Sequence, residues 1–136
     1  MIALRPADLD FSEAYVEGEE GARWRSASGH SPSMGARSSG SSVIEIAPGC
    51  RLPRHTDSAE ETIVVLAGTA EVLTGEDSES VPAGSVAVVP EDAPHEVRNA
   101  GEVPLHFVAV YAGADVVTRY EAVVQPDGSH ERHTVS

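Results

Sequence analysis

The chain has 136 residues, enough to bury one core but short for two full catalytic domains. Its 22 acidic against 9 basic residues give a formal charge of −13, which opposes binding to phosphate backbones or anionic lipid and sets nucleic acid and membranes aside as partners. No apolar run approaches the ~20 residues of a membrane helix, and aromatic residues make up only 4%, so the expected core is aliphatic and β-branched.

Residues 1–25 are mixed, with a weak amphipathic stretch around Leu9, Phe11 and Val16 before Gly18 and Gly21, and read as a short helix or an outer strand. The opening MIALRPADLD lacks the basic region and apolar stretch of an export signal, and the single Cys50 cannot close an intramolecular disulfide; both point to a cytoplasmic protein. SASGHSPSMGARSSGSS (26–42) reads as a mobile loop or a long hairpin connection, with the fold proper starting after it. Strands are then expected at SVIEIAPG (42–49), ETIVVLAG (61–68), TAEVLTGED (69–77, closing in a turn), SVAVVP (85–90), HEVRNAG (95–101), PLHFVAVYAG (104–113) and VVTRYEAVV (116–124). The polar tail QPDGSHERHTVS is expected to be a turn and a frayed end. Short strands between regular turn signals, without helical periodicity, indicate an all-β antiparallel sandwich or barrel. The layout is one domain over 1–136, with a barrel core at about 40–124, an N-terminal part at 1–39 and a tail at 125–136.

Chemistry concentrates in RHTDSAEE (54–61). On a strand, His55 and Asp57 share a face, and Glu61 keeps the same parity if the direction persists. Imidazole nitrogen with carboxylate oxygen suits a divalent first-row metal. The bland alternative is a surface ion pair of His55 with Asp57, worth ~0–1 kcal/mol.

Two ordered motifs favour the metal. GCRLPRHTDSAEETIVVLAG runs Gly49, five residues, His55-x-Asp57, three residues, Glu61, six residues, Gly68; GSVAVVPEDAPHEVRN runs Gly84, five residues, Pro90, then His95, three residues, Asn99. This pair resembles the two motifs of the cupin family, with fifteen residues between them, an Asp57 where the family has its second histidine, and an Asp92 where it has glycine. Asp tolerates turn backbone angles, so Asp92 reads as a turn variant. The resemblance implies an antiparallel double-stranded β-helix, or jelly-roll barrel. It implies a divalent transition metal on His55, Glu61 and His95, with Asp57 a candidate fourth ligand. Fe(II) is favoured, with Mn, Ni, Zn, Co or Cu as other candidates. If Asp57 binds, two carboxylates nearly cancel a 2+ charge and favour a harder ion; if not, the two histidines and one carboxylate suit non-haem Fe(II).

His-x-Asp with a distant histidine also resembles the iron triad of 2-oxoglutarate-dependent oxygenases, His55, Asp57 and His95 here, which would need a basic residue such as Arg98 or Arg119 for the co-substrate. Arg98 has the opposite parity to His95 and is expected to face outward. His106 is expected on an outer face or interface, and His30, His130 and His133 in solvent. Cys50 is expected to pack as a small apolar group. In phase with the ligands, Ile63, Val65 and Val97 are expected to line an apolar lumen suited to a small organic molecule. The family resemblance also implies a homodimer. The function expected is a metal-dependent small-molecule enzyme of the dioxygenase kind; a non-redox isomerase, cyclase or lyase, and a non-catalytic ligand- or metal-sensing protein, are the alternatives.

Overall fold

A computed structural model describes residues 1–136. Twelve strands, all paired antiparallel within their sheets, are separated by turns and two short 3-10 segments, Pro6–Asp8 and Pro32–Met34. In chain order they are β1 (Ser12–Tyr15), β2 (Arg23–Ser28), β3 (Gly40–Ile46), β4 (Arg51–Asp57), β5 (Glu61–Ala67), β6 (Thr69–Thr74), β7 (Asp77–Pro82), β8 (Val86–Val89), β9 (His95–Arg98), β10 (Leu105–Tyr111), β11 (Val116–Val124) and β12 (Ser129–Val135). They form two six-stranded sheets, ordered β1-β2-β3-β10-β5-β8 and β12-β11-β4-β9-β6-β7. The fold is the expected antiparallel jelly-roll barrel.

Alternation builds the core. Along β10, Leu105, Phe107, Ala109 and Tyr111 are buried while His106, Val108 and Val110 are half-buried on the other face. Ile44 and Ile46 of β3, Ile63 and Val65 of β5, Val72 of β6 and Val97 of β9 complete a core with little aromatic mass, as the composition implied. Gly68 lies where a Cβ would come within 2.7 Å of the Pro104 carbonyl oxygen, at φ +77°, so this motif glycine is required by close backbone approach. The motif's closing Asn99 is buried; its Nδ2 donates to the carbonyls of Ile46 and Val103, and its Oδ1 accepts from the Gly101 amide. It clamps the loop before β10 onto the end of β3.

Several expectations are corrected. The fold begins well before residue 42: β1 and β2 are integral strands, and Ala14, Trp24 and Ala27 are core residues. Of the two readings of the Gly/Ser segment, the hairpin connection holds, because β2 pairs with β3 through Ser28 and Ser42 and only residues 29–39 lie between the strands. His30 is half-buried rather than solvated, its ring bonded to the hydroxyls of Ser41 and Ser39. The tail is not frayed. Residues Ser129–Val135 form β12 against β11, and Val135 is buried where a Cβ on Gly40 would collide with it. A further polar strand, β7, pairs with β6 at a sheet edge. Cys50 packs partly buried against the core, and His106 is half-exposed beside Glu45, both as expected. No helix is long and apolar enough to cross a membrane.

Candidate metal centre

The four acidic and histidine side chains singled out by the motifs converge from both sheets. His55 and Asp57 stand on β4 and His95 directly opposite His55 on β9; Glu61 begins β5 in the other sheet, after residues 58–60 carry the chain across. All four are buried, His55 and Asp57 at 3% exposure, Glu61 at 2% and His95 at 1%, which removes the surface ion-pair reading of His55 with Asp57. One ligand atom from each lies within 4.8 Å of all the others. Donors bound at ~2.0–2.2 Å around a single ion stand ~3 Å apart when adjacent and ~4 Å when opposite, so one ion can reach all four after a small contraction.

A bulge sets the phase of β4. Its register against β9 shifts between Leu52 and His55, so both of these residues, at opposite parity, are buried. Pro53 sits in this irregularity, where its missing N–H costs no ladder bond. Its carbonyl accepts from His55 Nδ1 at 2.7 Å, and Ala93 does the same for His95 at 2.9 Å. With each Nδ1–H committed to a carbonyl, each ring presents Nε2 to the centre, which is how metal-binding imidazoles are held. At Asp92 φ is +60°, the turn variant expected, and its amide donates to the Asp57 carbonyl, which ties this turn to the end of β4.

Two features of the centre call for a cation. Asp57 Oδ1 accepts from Thr118 Oγ1 at 2.6 Å, but Oδ2 has no hydrogen-bond partner although buried, and lies 3.6 Å from His55 Nε2 and 3.4 Å from His95 Nε2. A carboxylate oxygen left bare in the interior is costly. His95 Nε2 also faces Glu61 Oε1 at 2.9 Å. With Nδ1–H already spent on Ala93, those two atoms would meet lone pair to lone pair, and only a shared proton or a metal ion reconciles them. In keeping with a shared proton, burial and the neighbouring carboxylate raise Glu61 above the usual range despite the bond to His95, and that bond raises His95 against the opposing effect of burial. Burial, reinforced by His95, pushes His55 down to about 4, so it is a neutral imidazole at pH 7.

A cavity of about 170 Å³ opens on the His55 and Asp57 side of this cluster. Its wall is not the expected one. Ile63, Val65 and Val97 are solid core and do not line it; Trp24, Tyr111, Thr118, Tyr120 and Arg132 do, with serines of β2 and β3. The difference arises because the cavity lies toward β11, β12 and β2 rather than along β5 and β9. Burial raises both Tyr111 and Tyr120, with Glu61 adding to the first and Asp57 to the second, so both phenols keep their protons. Arg98 and Arg119, the basic residues considered for a 2-oxoglutarate site, point to solvent in pairs with Glu96 and Glu131. The cavity arginine is Arg132, on the strand mistaken for a tail.

The sequence model described as "Cupin domain" matches residues 42–111, from β3 through β10. Among curated proteins, an 84-residue stretch is 34% identical to the xanthan biosynthesis protein XanB of Xanthomonas campestris pv. campestris, covering 57% of this chain and 18% of that protein. Among solved structures, Bacillus subtilis oxalate decarboxylase at pH 4.6 superposes with TM-score 0.63 at 21% identity, over 73% of this chain and 27% of that one. A second structure, from work on the Mn(II) centres of that enzyme, gives 0.62 at 21%, over 74% and 28%. The chain thus spans less than a third of each of these relatives, and at such identity the structural likeness shows the fold.

Proposed function

The chain belongs to the cupin family, and from that premise we propose that it is a metal-dependent small-molecule enzyme holding one divalent transition metal on His55, Asp57, Glu61 and His95. The observation that carries this reading is Asp57 Oδ2, a buried carboxylate oxygen with no partner, aimed between two Nε2 atoms whose rings are locked from behind. A bound divalent ion would supply Lewis acidity and coordination positions open to the cavity.

The residues around it have separate tasks. His55 and His95 contribute neutral donors in a fixed tautomer. Asp57 and Glu61 balance a 2+ charge, a harder set than three histidines, which favours Fe(II) or Mn(II) and supports a higher oxidation state of the ion. Thr118 fixes Asp57 and is itself hydrogen-bonded to Thr134. Tyr111, paired in register with Glu61, and Tyr120, paired with His55, present protonated phenols to whatever fills the cavity. We infer redox chemistry of the dioxygenase kind as the reaction class, because the charge-balancing ligand set and the one-sided cavity leave room for a substrate and O₂ together. A non-redox isomerase or lyase uses the same residues without oxygen.

Protein purified without chelator is expected to carry about one equivalent of transition metal and to consume O₂ with a small organic substrate. Metal without oxygen consumption across a panel of carbonyl, catechol and thiol compounds would replace the dioxygenase by the non-redox reading. Absence of metal, with no thermal stabilisation by Fe(II) or Mn(II), would overturn the site.

A further inference from the structure

The metal cluster accounts for His55 and Asp57 on the cavity wall but not for the arginine facing them. Arg132 stands on β12 opposite Thr118 of β11, and Thr118 stands opposite Asp57 of β4. Three residues abreast on adjacent strands share one face, so Arg132 points inward with Thr118 and Asp57. Two strand spacings separate the Arg132 and Asp57 backbones, about 10 Å. Arg132, His55 and Asp57 line one cavity, with room for a small molecule beside them.

Its hydrogen bonds engage only part of the fork: Nε donates to Asp127 Oδ2 at 3.3 Å, and that aspartate is half exposed to solvent. The guanidinium also lies against the Tyr120 hydroxyl, where it opposes the rise that burial causes. Tyr120 stacks near His55, with ring centroids 5.4 Å apart, and near Trp24 at 5.5 Å. Arg132, Tyr120 and His55 therefore follow one another along one wall of the cavity.

Charge gives the arginine its meaning. The chain carries −13, and the remaining acidic side chain on the cavity wall, Asp10, is exposed. With Asp57 and Glu61 balancing a divalent ion, Arg132, countered only by the half-exposed Asp127, is the permanent positive charge on the cavity wall. A planar fork of N–H donors matches a carboxylate bidentately, and the phenol of Tyr120 lines the same space. The volume, about 170 Å³, is close to the ~150 Å³ that accommodates benzene, which suits a compact carboxylic acid rather than a sugar phosphate or a long chain.

We infer that the substrate of this centre is a small carboxylate whose acid group is anchored by Arg132 at the end of the cavity opposite the metal ligands. The inference rests on the proposed metal site for the chemistry but not for the anchoring. Binding is read from the fluorescence of Trp24, the chain's single tryptophan and part of the cavity wall, and confirmed by calorimetry. The probes are benzoate, lactate and propanoate, each beside its neutral amide, on metal-loaded and metal-free protein. At least one carboxylate is expected to bind the wild type about tenfold or more tightly than its amide. Arg132→Gln is expected to abolish that preference without changing the metal content, and Arg132→Lys, which keeps the charge but not the fork, to retain part of it. Equal binding of acids and amides, binding of no carboxylate, or an undiminished preference in Arg132→Gln would overturn the inference. If Arg132→Gln does not fold, the wild-type comparison and Arg132→Lys decide it. Arginine-dependent acid binding in a protein that takes up no metal would uphold the anchor and refute the metal reading; stoichiometric metal without acid preference would do the reverse.

Discussion

Replacing Asp57 with asparagine is expected to move stability and metal binding in opposite directions. In the metal-free protein, Asp57 Oδ1 is satisfied by Thr118 while Oδ2 is buried without a partner, 3.4 Å from His95 Nε2 and 3.6 Å from His55 Nε2. With one proton shared by His95 and Glu61 and a neutral His55, the four side chains carry a net charge of about −1 in the interior. Asparagine keeps the Oδ1 bond, removes that charge, and offers an N–H₂ to the lone pair of His55 Nε2. A buried unsatisfied polar atom costs ~1–3 kcal/mol, so metal-free Asp57→Asn should be more stable than the wild type by that amount. For a chain of this size the gain is a rise of roughly 3–10 °C in Tm. Metal affinity should fall by more than the ~10–100-fold that loss of a supporting hydrogen bond costs, because a ligand and a negative charge are lost. Thermal unfolding followed by circular dichroism after chelation, and Mn(II) or Fe(II) titration under anaerobic conditions, measure the two effects. A variant that loses stability without metal and binds metal as the wild type does would refute the reasoning and make Asp57 a structural partner of Thr118 only.

Metal binding at pH 7 should release about one proton, displaced from the His95–Glu61 contact, and calorimetry in buffers of different ionisation enthalpy reads that number. For His55, the folded value of about 4 lies below the unfolded 6.5, so its contribution is complete above pH 6.5 and is lost as the pH falls toward 4. Metal-free wild type should therefore lose on the order of 3 kcal/mol more than His55→Gln across that window, as chemical denaturation at several pH values would show. Asn99→Ala removes three hydrogen bonds from a buried loop clamp and strands two carbonyls, for an expected loss of ~2–4 kcal/mol in the same assay. Val135→Asp places a charge against Gly40 in the closing strand and is expected to destabilise by at least ~3 kcal/mol, visible as a lowered Tm; no change would mean that β12 does not close the barrel.

The four candidate ligands were legible because their spacing is dictated locally. His55 and Asp57 alternate on one strand, Glu61 follows the shortest crossing between sheets, and His95 heads a strand that begins after a positive-φ turn at Asp92. Parity predicted that His55, Asp57 and Glu61 meet, although Glu61 belongs to the other sheet. The strands with aliphatic alternation, β3, β5, β6 and β8 to β11, were legible for the same reason. What escaped was polar on its inner face. The inward residues of β12 include Arg132 and Thr134, which face a polar cavity, so SHERHTV carries no apolar alternation to detect. DSESVP of β7 is an exposed edge with only Val81 buried. In β1 and β2 the buried positions are Ala14, Trp24 and Ala27, too sparse to outweigh the Gly/Ser segment that follows. The position of the cavity depends on the pairing of β11 with β4 and β12, contacts between residues far apart in the chain, and no local pattern carries them.

The central claim is that four buried side chains surround one divalent ion. X-ray absorption spectroscopy on the metal of protein purified without chelator, together with its stoichiometry, tests that most directly. The account predicts about one equivalent of ion, with two imidazole nitrogens and two carboxylate oxygens at ~2.0–2.2 Å, and loss of one oxygen scatterer in Asp57→Asn. Protein that contains no transition metal and binds none with His55, Asp57, Glu61 and His95 intact would contradict it.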